Sequence, residues 1–212
     1  MVPARSKPRL SAEERRSAIV QAAIRLFAEK GFQGATTREL AAAVGVTEPV
    51  LYQHFATKRD LYTAIIESTC QVEQKSTDAE LEAARRSGDD RRYFTRLAQL
   101  VLDWHHEHAD IVRLLLFSGL DRHELSDLFF ARHVAVFYEM LTGYIRERIR
   151  QGAFRRLDPY LAARAFTGMV VHQSLAMEIF GDRKLEKVQK KLVRTVVSIF
   201  LKGIANERSK PQ

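Results

Sequence analysis

Apolar side chains recur at three- and four-residue spacing through nearly the whole 212-residue chain, and no stretch alternates convincingly with period two. That spacing belongs to amphipathic helices, whose buried stripe repeats every turn, so the chain is read as all-α. Ser11, with Glu14 three positions on, makes a capping box ahead of the stripe Ile19, Ala22, Ala23, Leu26 and Phe27. Gly31 supplies the left-handed residue that ends this helix. Thr36 and Glu39 repeat the capping logic before a short helix through Val44, which Gly45 closes. Thr47 caps the next helix, and Thr57 with Asp60 opens a fourth. Starts this close together mean very short helices, unstable alone, which must lock onto each other as one small domain.

From Lys58 onward the predicted helices lengthen. One connecting helix covers 58–86 and stops at Ser87-Gly88; others cover 91–108, a short span to Gly119, and 124–151 before Gly152. Asp158-Pro159 reads as an N-cap followed by proline in the first turn, opening a helix to Phe180 with Gly181 behind it. A last helix, 185–205, is expected to turn Leu192, Val196, Ile199 and Phe200 inward and Lys187, Lys190, Lys191 and Arg194 outward.

The segment with most chemical information is 36–55, TTRELAAAVGVTEPVLYQHF. A helix-turn-helix needs a small residue where its two helices cross, a positive-φ residue in the turn, and a buried apolar residue on the second helix. Ala41, Gly45 and Leu51 meet those needs in order, with Leu40, Val44, Val46 and Phe55 filling the core. An ordinary helical hairpin would satisfy the same spacing. The outward residues favour a DNA reader: with Leu51 inside, Thr47, Glu48, Pro49, Tyr52, Gln53 and His54 lie on or near the open side of the second helix. Thr, Gln and His can address base edges or phosphates, and a tyrosine hydroxyl can reach a phosphate oxygen. Pro49 gives up an N–H that has no intrahelical partner in the first turn, and its ring could meet a thymine methyl. Glu48 is awkward beside phosphates, but could accept from a cytosine amino group or pair with a base-contacting cation. Arg38 and Lys58, at helix starts, are candidate phosphate anchors, and Thr36 and Thr37 join the DNA-binding set.

Composition narrows the partners. Thirty-four Lys and Arg against 26 Asp and Glu give a net charge of +8, which favours a polyanion, nucleic acid or an anionic membrane, without choosing between them. The apolar runs, such as 114–117 and 169–171, are far too short for a bilayer, and residues 1–18 lack a signal-peptide core. No membrane association and a cytoplasmic location are expected. The single cysteine, Cys70, allows no intrachain disulfide and no Cys-rich zinc site, which suits a reducing compartment. No phosphate-binding glycine loop, zinc-protease signature or Ser-x-Gly elbow is found, so no enzyme activity and no cofactor are expected.

Residues 19–66 resemble the DNA-binding domain of the TetR (tetracycline-repressor) family. The likeness is carried by Phe27, Gly31, Thr36-Thr37, Ala41, Gly45-Val46, Leu51-Tyr52, His54-Phe55, Lys58 and Leu61. Glu48-Pro49 departs from the small or basic residue, followed by glycine or another small residue, that many members carry there, which affects operator sequence rather than fold. The resemblance implies an N-terminal three-helix DNA-binding domain and a C-terminal ligand-binding and dimerisation domain, about nine helices in all. On this chain that becomes a flexible basic arm at 1–10, a helix-turn-helix domain at 11–57, a sensor and dimer domain at 58–206, and a tail at 207–212. It further implies a homodimer through the last two long helices, about 158–180 and 185–205. The first of them carries the small residues Ala162, Ala163, Ala165 and Gly168, which let helices approach closely. A dimer also makes physical sense, since one short recognition helix reads few base pairs.

The same resemblance implies an effector cavity among the middle helices. Trp104, His108, Phe117, Phe137, Phe166, Met169, Gln173 and Met177 are its candidate lining, although a stripe such as 166, 169, 173 and 177 is equally what plain core looks like. A lipophilic or aromatic effector is expected. The run Trp104-His105-His106-Glu107-His108 invites a metal, but no third ligand is evident and none is expected. Arg146, Arg148, Arg150 and Arg155-Arg156 form a second basic patch, read as a solvated face with acidic partners such as Glu147. The functional expectation is a repressor released by its effector from a near-palindromic duplex DNA operator. The alternatives are an effector-independent factor with many chromosomal sites and, more remotely, a helical enzyme.

Overall fold

The computed structural model describes residues 11–70 and 78–206, so the expected arm (1–10) and tail (207–212) lie outside the described residues. Apart from a single backbone bridge, Phe154 to Ala205, every regular element among the described residues is helical. They form two compact units, one of residues up to 70 with 113–128, the other of 78–112 with 129–206.

The first unit starts with α1 (Ala12–Gly34), whose Ser11–Glu14 capping box forms as the sequence predicts and whose helical path breaks at Gly31, φ +69°. α2 (Thr37–Val44), α3 (Glu48–His54) and α4 (Lys58–Cys70) follow. Thr36 and Glu39 cap α2 reciprocally, and Thr57 and Asp60 do the same for α4. Thr47 stands at the N-cap of α3, yet its side chain makes no capping hydrogen bond. Ile19, Ala23, Phe27, Leu40, Ala41, Leu51, Phe55, Leu61 and Ile65 are all buried, so three short helices share one core with the longer α1. Tyr62 packs edge-on against Phe27 and against His123, which comes from the 113–128 segment.

The expected single helix over 58–86 is not what forms. Asp78 has extended backbone (φ −62°, ψ 108°) and caps a new helix, α5 (Ala79–Ser87), by accepting from the Leu81 N–H at 2.7 Å. Arg96 also grips the Asp78 carboxylate, at 2.6 Å. A carboxylate held from both sides competes well with helix continuation. Gly88, φ +68°, ends α5 and leads into α6 (Asp90–Glu107).

Downstream lie α7 (Ala109–Leu120) and α8 (Glu124–Phe129), then a π-helical turn, Phe130–Val134, that runs on into α9 (Ala135–Arg150). The last stretch holds α10 (Pro159–Glu178), α11 (Arg183–Lys187) and α12 (Gln189–Ile204). The expected helix 185–205 is therefore two helices that break at Val188, and Ile199 is 60% exposed instead of inward. Leu192, Val196 and Phe200 do face the core. In the second unit Tyr93 stacks on Tyr144 with centroids 3.7 Å apart, and Phe94 meets Phe166 and Phe200 edge-on at 4.8 and 4.9 Å. After α9 the chain is tied to the end of α12 by Arg155 N–H to Ile204 O and Asn206 N–H to Ala153 O.

Arg148 is not part of a solvated face. It is only 16% exposed and donates through Nε and Nη2 to both oxygens of Asp90, at 2.8 and 2.9 Å. Tyr144 Oη donates to the same carboxylate at 2.7 Å, so the C-terminal half of α9 is bolted to the first turn of α6. Arg150 does pair with Glu147 at the surface.

Candidate nucleic-acid interface and effector region

The helix-turn-helix geometry follows from its smallest residues. Ala41 is 3% exposed at the α2–α3 crossing, where a longer side chain would wedge the helices apart. Gly45, φ +70° and ψ 34°, takes the left-handed turn, and the Val46 N–H closes it on Ala41 O at 2.9 Å. Leu51, 3% exposed, anchors α3 from below. The opposite face is open: Thr47, Pro49 and Gln53 are exposed and Tyr52 is 48% exposed, while Glu48 and His54 are half-buried. Arg38 and Lys58 are exposed at the starts of α2 and α4. Thr36, Thr37, Tyr52 and Lys58 line one shallow hollow over Leu40, Leu51 and Phe55, so four of the ten expected DNA contacts converge on one place.

Two of those contacts already have intramolecular work. The Thr36 hydroxyl accepts from the Glu39 N–H and donates to the Glu39 carboxylate, capping α2. The Thr37 hydroxyl donates to Glu48 Oε2 at 2.8 Å, which joins the first turns of α2 and α3. Glu39 is held further by Lys30 Nζ at 2.7 Å; this hydrogen bond, then those from Thr36, pull its carboxyl down to about 2. α2 is thus tethered to the end of α1 by an ion pair. The sequence reading missed this pair, and it also missed Arg16, whose guanidinium lies 4.8 Å from the centroid of the Phe55 ring at the end of α3. The available signal was faint: Arg16 sits one turn before the buried Ile19-Val20, but its partner is far along the chain.

The expected effector residues are spread more widely. Phe117 belongs with the first unit, near Gly31, and the other seven belong with the second. Phe166 is 1% exposed and sits in the aromatic core, while Phe137, Met169 and Met177 pack partly buried against that core. Gln173 lines a small hollow with Leu102, Val170 and Leu192. Trp104 and His108 lie together, ring centroids 5.1 Å apart, with Phe129 at 6.1 Å from the indole. The Trp104 indole N–H is buried and has no hydrogen-bond partner among the described residues. Such a donor has lost its water without compensation and would gain from an acceptor brought by a ligand. Among the described residues no three His, Cys, Asp or Glu side chains converge as a metal would require.

His105, next to the indole, carries a measurable consequence. Its Nδ1 lies 2.5 Å from Oγ of Ser174, a residue with no solvent exposure, and joins α6 to α10. Burial pushes its pKa down to about 4, slightly opposed by Glu178. The unfolded chain binds a proton near the ordinary value of about 6.5, so between pH 6.5 and 4 the unfolded state holds more protons. The stability this neutral imidazole contributes is fully present above pH 6.5 and is lost as pH falls toward 4. Lowering pH from 7 to 5 should cost roughly 2 kcal/mol through this group. Thermal melts of wild type and His105→Leu across that range test it: the variant should show the flatter profile, and equal slopes would refute the assignment.

Comparison with known proteins matches this geometry. The family model described as bacterial regulatory proteins, tetR family, matches residues 19–65. A second, described as the AefR-like transcriptional repressor C-terminal domain, matches residues 91–203. The nucleoid occlusion factor SlmA of Glaesserella parasuis is 26% identical over 171 residues, 80% of this chain and 82% of that protein. Among solved structures, AibR bound to isovaleryl coenzyme A and operator DNA superposes with a TM-score of 0.66 at 23% identity, covering 88% of this chain and 97% of the other. The flavonoid-responsive regulator FrrA gives a TM-score of 0.66 at 20% identity, covering 92% and 99%.

Proposed function

Since this chain belongs to the tetR family of bacterial regulatory proteins, we propose that it is a homodimeric repressor released from a near-palindromic operator by a small lipophilic or aromatic effector. The observation that carries the reading is the open face of α3, held outward by the buried Ala41 and Leu51 and by the left-handed turn at Gly45. Arg38, Lys58 and Tyr52 serve as phosphate contacts, and Thr47, Glu48, Pro49, Gln53 and His54 approach base edges. The net charge of +8 favours the same partner. No helix among the described residues is long and apolar enough to cross a membrane.

Dimerisation is assigned to α10 and α12. On α10, Leu161 is 63% exposed, and Ala165 and Gly168 follow it outward on the same face. On α12, Ile199 is exposed with Gly203 one turn on, and a Cβ built at Gly168 or Gly203 meets nothing within 4 Å. An apolar stripe with small residues at turn spacing suits a close-packed helical partner. The effector site is assigned to the second unit around Trp104, His108, Phe137, Met169, Gln173 and Met177, where the unpartnered indole N–H favours an aromatic ligand carrying a carbonyl or hydroxyl acceptor. AibR and FrrA, whose names mention isovaleryl coenzyme A and flavonoids, support a small organic effector. Trp104 is the only tryptophan in the chain, so its emission reports binding there directly.

Selection of bound duplexes from a random pool tests the core of the reading. A twofold-symmetric consensus is expected. If each subunit neutralises about four phosphates, the log–log salt slope of binding should be near −7. Affinity that stays flat from low to physiological salt would overturn it. A second reading, an effector-independent factor with many chromosomal sites, is favoured by the likeness to the nucleoid occlusion factor over most of this chain. Genome-wide occupancy separates the two: dispersed sites favour the second, a few promoter-proximal sites the first.

A further inference from the structure

Glu48 is the one acidic side chain on the open face of α3, on a surface otherwise furnished with Arg38, His54 and Lys58. A carboxylate there is repelled by DNA phosphates unless the groove offers it a donor. Its position is not left to chance. Oε2 is fixed by the Thr37 hydroxyl at 2.8 Å, across eleven residues of sequence, and the next residue, Pro49, holds the backbone of the first turn of α3. Among the described residues Oε1 has no hydrogen-bond or ion-pair partner, and the side chain is half-exposed. The Thr37 proton is committed to Glu48, so this hydroxyl has no proton left for a phosphate oxygen.

Only two base edges in the major groove donate: the amino groups of cytosine and adenine. Adenine presents its N7 lone pair beside the donor, which repels a carboxylate. Cytosine presents a C–H there instead. We infer that Glu48 is a specificity-determining residue that reads a cytosine amino group through Oε1, and that Thr37 is its positioning residue rather than a DNA contact. The inference rests on the operator-binding reading and adds one base to it.

The test is duplex selection from a random pool with the full-length protein, followed by binding titrations on single-base variants of the selected site. Wild type should require C·G at one position contacted by each recognition helix, with a loss of about 10- to 100-fold when it is changed to T·A. Glu48→Ala should reduce that discrimination below about threefold, keep the rest of the consensus, and bind non-specific duplex more tightly because a negative charge is gone. Glu48→Gln should shift the position toward adenine, which a carboxamide can engage through both N6 and N7. Thr37→Val should leave the same cytosine preferred but weaken discrimination by about 3- to 10-fold. An unchanged consensus in Glu48→Ala, or a uniform loss at every position, overturns the inference while the operator reading stands. Full discrimination in Thr37→Val overturns the positioning role. Failure of wild type to select any symmetric site defeats the operator reading itself.

Discussion

Arg148→Ala should lower the stability of the second unit by about 3 to 4 kcal/mol, the lower part of the range seen when one partner of a buried ion pair is removed. The guanidinium and the Asp90 carboxylate are 16% and 19% exposed, so neither has much water to fall back on. Removing the cation leaves the carboxylate with the neutral Tyr144 hydroxyl as a remaining donor. The same guanidinium also donates to Gly88 O at 3.3 Å and to Gln151, and its carbon lies 5.9 Å from the Phe154 ring centroid, so packing is lost along with charge. For a unit of this size the change corresponds to a fall in Tm of roughly 10 to 20 °C. Asp90→Asn, which keeps an acceptor for Tyr144, should cost less than Arg148→Ala. The double variant Asp90→Ala with Arg148→Ala should cost clearly less than the two single changes added together. Additive losses in calorimetry would mean that the pair is not a coupled unit.

Ile199→Asp should leave the fold intact and divide the dimer. Ile199 is 60% exposed on α12, so a carboxylate there costs the isolated chain little. Across the twofold axis of the proposed dimer the same change would place two like charges in a desolvated helix interface, where neither would have a partner. Sedimentation should then report a species near the chain mass of 24.3 kDa, against the doubled mass expected of wild type. Operator affinity should fall by more than about 100-fold, because the second recognition helix no longer binds at high effective concentration. Unchanged sedimentation would place the interface elsewhere.

Much of the DNA-binding half is legible in the one-dimensional pattern because its rules are local. Capping boxes at Ser11, Thr36 and Thr57 depend on a residue three positions away, and the turn at Gly45 depends on its own φ. Ala41 and Leu51 are legible because helical spacing alone puts both on the buried side. Thr37 and Glu48 were each recognisable as candidates for DNA contact, but their hydrogen bond spans a turn whose angle only the packed core fixes.

The second half shows where local rules end. The helix start at Asp78 depends on Arg96 eighteen residues on, and the burial of Arg148 depends on Asp90 from a different helix. Ile199 has the helical spacing of a core residue, yet its side chain points outward, because the pattern marks apolar positions without saying which surface will cover them. The amino-acid order by itself determined the helical class, the caps and turns of the reading head, and the net positive charge. Tertiary packing decided which charges are buried, where long helices break, and which apolar stripe stays exposed. Each of those outcomes is set by desolvation among residues distant in the chain, and that free energy exists only once they meet.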